Sequence, residues 1–144
     1  MIVGVDANIS IKVVRLLQTL YSEHDFRPVG GGPANDDTLW IAEFADAGGE
    51  ALLTLDKRIQ SRPHEVLALF NSGLLTCAFD FGKLKDMRAQ AILILEYWRT
   101  LERQWLDDDP PRVIRALAAQ SRLTPHTREL EYWDDNGEIK LRTK

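Results

Sequence analysis

Short hydrophobic runs alternate with amphipathic segments along the first three quarters of the chain. Largely apolar runs at residues 2–5, 51–55 and 74–79 are typical of strands whose two faces are both covered, and residues 26–29 read as a further short strand. Between and after them, apolar residues recur three and four positions apart at residues 9–20, 37–45, 63–70 and 87–105. That spacing predicts helices. The alternation predicts an α/β fold with a mostly parallel central sheet of four or more strands and helices on both faces.

The last part of the chain is expected to be an extension of the same domain. Residues 1–106 hold the alternating pattern, and the Asp-Asp-Asp-Pro-Pro run at residues 107–111 interrupts it. We expect residues 107–144 to form a short helix around residues 113–118 and then a hairpin. The hairpin strands are 129–133 and 138–141, because Asn136-Gly137 between them is a strong turn signal. The extension either completes the sheet or forms an accessory hairpin.

Composition narrows the classes of protein that fit. At 144 residues the chain is long enough for one domain, and its net charge of −4 excludes a generally basic nucleic-acid wrapper. Cys77 is the one cysteine, which excludes an intramolecular disulfide and a multi-cysteine zinc site. The N-terminus lacks the basic and long apolar segments of a signal peptide, and no apolar stretch is long enough to span a bilayer. A cytoplasmic protein without a membrane segment is therefore expected.

Carboxylates follow several of the predicted strands. Asp6, Asp56 and Asp80 come at or just after strand ends, and Asp37 begins the helix that follows the second strand. Carboxyl ends of parallel strands share one edge of a sheet, so these side chains should gather there. Gathered carboxylates repel one another unless a cation lies between them, and ligand sets of oxygen alone suit Mg²⁺ or Mn²⁺. Each Asp taken singly also fits an ordinary helix cap or turn residue.

Three short motifs resemble those of the PIN-like domain superfamily, in particular its compact branch of VapC-type toxins. They are Asp6-Ala7-Asn8, Asp37-Thr38-Leu39-Trp40, and the stretch Thr54-Leu55-Asp56-Lys57-Arg58-Ile59 continuing to Arg62-Pro63-His64-Glu65. They resemble D-x-N, D-x-x-W and T-x-D-[KR]-x-I…R-P-x-E. The resemblance covers roughly residues 1–106 and implies a three-layer PIN-like sandwich.

The resemblance also implies an activity. It points to a Mg²⁺- or Mn²⁺-dependent endoribonuclease, the toxin of a type II toxin–antitoxin pair, that cleaves RNA phosphodiesters with metal-activated water. Asp6, Asp37 and Asp56 would be the catalytic and metal-binding residues, and Asn8 an auxiliary polar group. PIN domains often carry a fourth acidic residue. The candidates for it are Asp36, Glu43 and Asp80.

Basic residues after Asp56 and an aromatic-rich helix indicate what the protein binds. Lys57, Arg58 and Arg62 follow Asp56 and are predicted to hold RNA phosphates, although pairing with nearby acids in a solvated loop explains Arg58 and Arg62 equally well. A toxin implies a cognate antitoxin that covers the acidic edge. A homodimer through the aromatic-rich helix at residues 87–105 is a further expectation from the family.

Two other functions remain open from the residues. One is a non-catalytic PIN-like module whose acidic edge binds a protein. In such a module the carboxylates would lie too far apart to share an ion. The other is a phosphoryl-accepting signalling domain that uses Asp56 and Lys83. Such domains usually carry an acidic pair after the first strand, whereas Ala7 follows Asp6 here.

Overall fold

A computed structural model describes residues 1–31, 37–56, 62–81, 86–107, 112–118, 125–134, 136 and 138–142. Its helices are α1 (Ile11–Leu20), α2 (Thr38–Asp46), α3 (Pro63–Ser72) and α4 (Met87–Trp105). Its strands are β1 (Ile2–Asp6), β2 (Asp25–Val29), β3 (Ala51–Thr54), β4 (Leu75–Asp80), β5 (Val113–Ala118), β6 (Pro125–Trp133) and β7 (Ile139–Arg142).

The strands form a seven-stranded sheet in the order β2-β1-β3-β4-β5-β6-β7. Strands β1 to β5 are parallel, whereas β6 and β7 are antiparallel to their neighbours. A mostly parallel α/β sheet is thus confirmed. Its edge strand β2 contains Pro28, which cannot donate to a ladder and suits an edge.

Local sequence signals fix the helix ends. The Ser10 hydroxyl accepts a hydrogen bond from the Lys12 backbone at the start of α1, which is the usual role of serine at a helix N-cap. Pro63 occupies the first turn of α3, where a missing N–H costs nothing. Gly73 ends α3 in the left-handed conformation, with a φ of 73°, which residues with a Cβ rarely adopt.

Two hydrophobic cores cover the two faces of the sheet. The larger lies under α1 and α4 and buries Trp98 completely, together with Val5 and Phe79. The smaller lies under α2 and α3 and includes Leu52 and Leu69. Because successive strand residues point to opposite faces, one apolar run supplies both cores. Among the described helices, none is both long and apolar enough to cross a membrane.

The predicted short helix at residues 113–118 is wrong. These residues form β5, which pairs in parallel with β4, with Ile114 opposite Cys77. Ile114 is buried in the larger core and Val113 in the smaller one, so the segment has the two-faced burial of an inner strand. Parallel neighbouring strands need a crossover connection, and helix α4 lies in the connection between β4 and β5. The expected hairpin corresponds to β6 and β7, which pair antiparallel.

Candidate metal centre

Four carboxylates meet at the carboxyl edge of the parallel strands. Asp6 is the last residue of β1, and Asp56 lies two residues beyond β3. Asp37 directly precedes α2, and Glu65 lies in the first turn of α3. All four line one pocket. The topology therefore gathers Asp6, Asp37 and Asp56 as the sequence predicts, and it adds Glu65.

The tightest group is formed by Asp37, Asp56 and Glu65. One carboxylate oxygen from each lies within 4.8 Å of the others, which is close enough for the three to share a metal ion. Asp6 lines the same pocket, where burial and, to a smaller extent, the negative charges of Asp37 and Asp56 raise its pKa. The rest of the pocket is largely apolar and is lined by Trp40, Ile41, Leu52 and Leu69.

Thr54 connects two of the carboxylate positions. Strands β1 and β3 are parallel neighbours, with Val5 opposite Leu53, so the residues that follow them are adjacent. The Thr54 hydroxyl donates to Asp6 Oδ2 at 2.6 Å and accepts from the Asp56 backbone N–H at 3.1 Å. Thr54 is only 2% exposed. It thereby fixes both the Asp6 carboxylate and the chain that carries Asp56.

Asp37 is oriented by the aromatic residue one turn later. Trp40 Nε1 donates to Asp37 Oδ1 at 2.9 Å. Gly30 lies close to the Asp6 and Trp40 side chains and has a φ of +75°. A Cβ on Gly30 would lie 3.3 Å from Asp6 Oδ1 and 3.4 Å from the Trp40 ring, so both the backbone conformation and the close approach favour glycine.

Arg62 lies against two members of the acidic group. Its Nη1 donates to Glu65 Oε1 at 2.9 Å and to Asp56 Oδ2 at 3.4 Å. Burial raises the pKa of Glu65, and the hydrogen bond from Arg62 partly offsets that effect. Hydrogen bonding to Glu65 raises the pKa of Arg62 further above its ordinary value. The guanidinium is therefore a permanent positive charge at the pocket.

The electrostatics of the pocket favour a bound cation. Burial raises the pKa of Asp6, and the nearby charges of Asp37 and Asp56 raise it further, while hydrogen bonds from Thr54 and the Asn8 backbone lower it. Buried carboxylates that repel one another are stabilised by a positive charge among them. The donors are all oxygens, which fits a hard divalent cation and not a thiolate-preferring metal.

Asn8, Glu43 and Asp80, which are within the described part of the chain, do not line the pocket. Asn8 is exposed, and its Oδ1 accepts from the Leu55 backbone at 3.3 Å, which ties the chain after β1 to the end of β3. Glu43 is exposed on α2 and does not line the pocket. Asp80 pairs with Arg115 at 2.6 Å and is not in the acidic group. Asp36, Lys57, Arg58 and Lys83 lie outside the described residues.

Glu65 is an acidic residue of the site that was not predicted; Asp36, Glu43 and Asp80 were the predicted candidates for a fourth acid. The signal was present, because the R-P-x-E motif contains Glu65 and Pro63 marks a helix start. The first turn of a helix that follows a parallel strand lies at the carboxyl edge of the sheet, and this places Glu65 there as it does Asp37. The burial of Glu65, at 2% exposed, cannot be inferred from sequence.

A second cluster of metal-ligand types exists in the described part of the chain. Glu23, His24 and Glu102 place ligand atoms within 4.8 Å of one another, and His24 directly precedes β2, at the amino edge of the sheet. His24 Nε2 lies 2.6 Å from Glu102 Oε1, so a hydrogen-bonded pair explains this contact. The cluster is on the opposite edge from the acidic pocket.

The fold and this pocket define an α/β domain with a carboxylate cluster at the carboxyl ends of its parallel strands. A family model described as a PIN like domain matches residues 1–80, more than half of the 144 residues. The chain belongs to the PIN-like domain family, which has a nuclease-type fold. The matched region contains Asp6, Asp37, Asp56 and Glu65. Searches of curated proteins and of solved structures found no match.

Proposed function

We propose that the protein is a Mg²⁺- or Mn²⁺-dependent endoribonuclease whose centre is the acidic pocket. The observation that carries the proposal is the approach of Asp37, Asp56 and Glu65, with carboxylate oxygens within 4.8 Å of one another. A non-catalytic module would be expected to leave these carboxylates too far apart to share an ion. Membership of a family with a nuclease-type fold gives the proposal independent support.

The proposed roles follow from the contacts of each residue. Asp37, Asp56 and Glu65 would hold the cation, and Asp6 would take part beside them. A bound divalent cation supplies Lewis-acid polarisation of a phosphate and lowers the pKa of water. The Trp40 indole and the Thr54 hydroxyl each occupy one carboxylate oxygen, so Asp37 and Asp6 are held in fixed orientations. The apolar lining limits water behind the carboxylates, which strengthens their interaction with a cation.

The test is RNA cleavage by the purified chain with Mg²⁺ or Mn²⁺. Asp37→Asn and Asp56→Asn should each lower the cleavage rate by about a hundredfold or more, because a lost cation ligand removes several kcal/mol of transition-state stabilisation. Asp46→Asn is the matched control, since Asp46 is an exposed acid on the same helix that Asp37 precedes. Rates of the two site variants equal to that of the control would contradict the proposal.

We also propose a toxin role, with an antitoxin protein as the cognate partner. Its support is the resemblance of the three motifs to VapC-type toxins. The proposed antitoxin would cover the acidic edge with a basic side chain. Inhibition of RNA cleavage by the product of a neighbouring reading frame would support the pairing, and normal growth of cells that express the active chain alone would contradict it.

A further inference from the structure

The Arg62 side chain contacts two of the carboxylates that are proposed to bind the metal. Its Nη1 donates to Glu65 Oε1 at 2.9 Å and to Asp56 Oδ2 at 3.4 Å. These two carboxylates belong, with Asp37, to the group whose oxygens are close enough to hold an ion. The guanidinium and a divalent cation would therefore compete for the same negative charges.

Burial strengthens the shorter of these two contacts, the one between Arg62 and Glu65. The Glu65 side chain is 2% exposed, the Asp56 side chain 11% and the Arg62 side chain 27%. Hydrogen bonds between ions are stronger where water is excluded, and a buried carboxylate left without a counter-charge is costly. Among the described residues, Arg62 thus supplies a counter-charge to the buried Glu65 carboxylate in the absence of metal.

We propose that Arg62 is an internal counter-ion that competes with the divalent cation for Asp56 and Glu65, so that metal binding displaces its guanidinium from both carboxylates. The inference rests on the proposed function, because it requires a divalent cation in the pocket. A guanidinium in contact with two carboxylates repels a second cation held by the same groups. The competition lowers the affinity of the wild-type chain for metal, so half-occupancy requires a higher metal concentration than it would without Arg62.

Displacement also changes what Arg62 can bind. A guanidinium released from Asp56 and Glu65 is a bidentate donor next to the site, and phosphate matches its geometry. The same residue would then pair with carboxylates before the cation binds and with RNA phosphate afterwards. This sequence of events joins the predicted RNA contact of Arg62 to the ion pairs in the structure.

A purely supporting role for Arg62 predicts the opposite outcome. If Arg62 only holds Glu65 in position for the metal, its removal would weaken metal binding. If Arg62 competes with the metal, its removal strengthens binding. The direction of the change separates the two roles, and metal affinity can be measured without any RNA substrate.

The test is calorimetric titration of Mn²⁺ into the full chain and its Arg62→Gln variant. We expect the variant to bind Mn²⁺ about tenfold or more tightly than wild type, within the usual range of coupling between two ligands. Arg27→Gln is the control, because it makes the same charge change at an exposed pair with Asp25 outside the pocket. Equal or weaker Mn²⁺ binding by Arg62→Gln would contradict the proposed competition but not the proposed metal site. Absence of binding in both proteins would overturn the metal site as well.

Thermal unfolding gives a second readout. Without divalent cations, Arg62→Gln should have a lower Tm than wild type, because Glu65 loses its counter-charge. Saturating Mn²⁺ should raise the Tm of the variant by more than that of wild type. A smaller rise in the variant would contradict the competition. Arg62→Lys keeps the charge but not the planar fork, so its Mn²⁺ affinity should fall between those of wild type and Arg62→Gln.

Discussion

Thr54→Val is expected to destabilise the protein in a pH-dependent way. The substitution keeps the shape of a side chain that is 2% exposed but removes its hydroxyl. Two hydrogen bonds are lost, one to Asp6 Oδ2 at 2.6 Å and one from the Asp56 backbone at 3.1 Å. A hydrogen bond to a charged group contributes about 1.5–3 kcal/mol and a neutral one about 1 kcal/mol. Because valine regains some apolar transfer energy and Asp6 is only half-buried, we expect a net loss of about 2 kcal/mol.

The sign of the pH dependence follows from Asp6. Burial raises the pKa of Asp6 in the folded state above its ordinary value of 3.8, so its contribution to stability is lost as pH rises through that raised pKa. The Thr54 hydrogen bond lowers the pKa of Asp6 and limits the loss. Without the hydroxyl, this pKa rises further. The stability gap between wild type and Thr54→Val should therefore widen as pH rises from about 4 to about 7.

Urea unfolding followed by tryptophan fluorescence measures this gap at each pH. Thr54→Ser is the matched control, because it keeps the hydroxyl and loses one methyl group. Its cost should be about 1 kcal/mol and independent of pH. A Thr54→Val variant within about 0.5 kcal/mol of wild type, or a gap that does not change with pH, would refute the role assigned to Thr54.

Three further outcomes are expected. Glu65→Gln should weaken Mn²⁺ binding, measured by calorimetry, about tenfold or more, because it removes one of three clustered carboxylates. Unchanged affinity would exclude Glu65 as a ligand. Asp80→Asn should lower the free energy of unfolding by about 1–3 kcal/mol, because it breaks the ion pair with Arg115, and it should leave Mn²⁺ affinity unchanged. A loss of Mn²⁺ affinity would contradict the position of Asp80 outside the metal site. The Cys77 thiol should resist alkylation in the native protein, since complete burial raises its pKa and blocks access, and rapid labelling without denaturant would count against the described core.

Much of the fold was predictable because its strands are short, apolar and separated by clear helix signals. The Ser10 cap, Pro63 at a helix start and the apolar run before Asp6 are local, so sequence reveals them. The strand at residues 113–118 was not predictable in the same way. Arg115 and the alanines give it no strict alternation, and its partner β4 lies more than thirty positions earlier in the chain.

The site was predictable to the extent that topology fixes it. The proximity of Asp6, Asp37 and Asp56 could be predicted because the carboxyl ends of parallel strands lie at one edge of the sheet. The engagement of Asp80 by Arg115 required the unpredicted strand β5, which carries Arg115. The position of Arg62 on Asp56 and Glu65 depends on side-chain conformations that sequence does not specify.

A crystal structure with Mn²⁺, analysed by its anomalous scattering, is the most direct test of the acidic pocket as a metal centre. A manganese peak is expected between the carboxylates of Asp37, Asp56 and Glu65, with the Arg62 guanidinium withdrawn from Asp56 and Glu65. At saturating Mn²⁺, an empty pocket would contradict the assignment, and so would a peak found only among Glu23, His24 and Glu102.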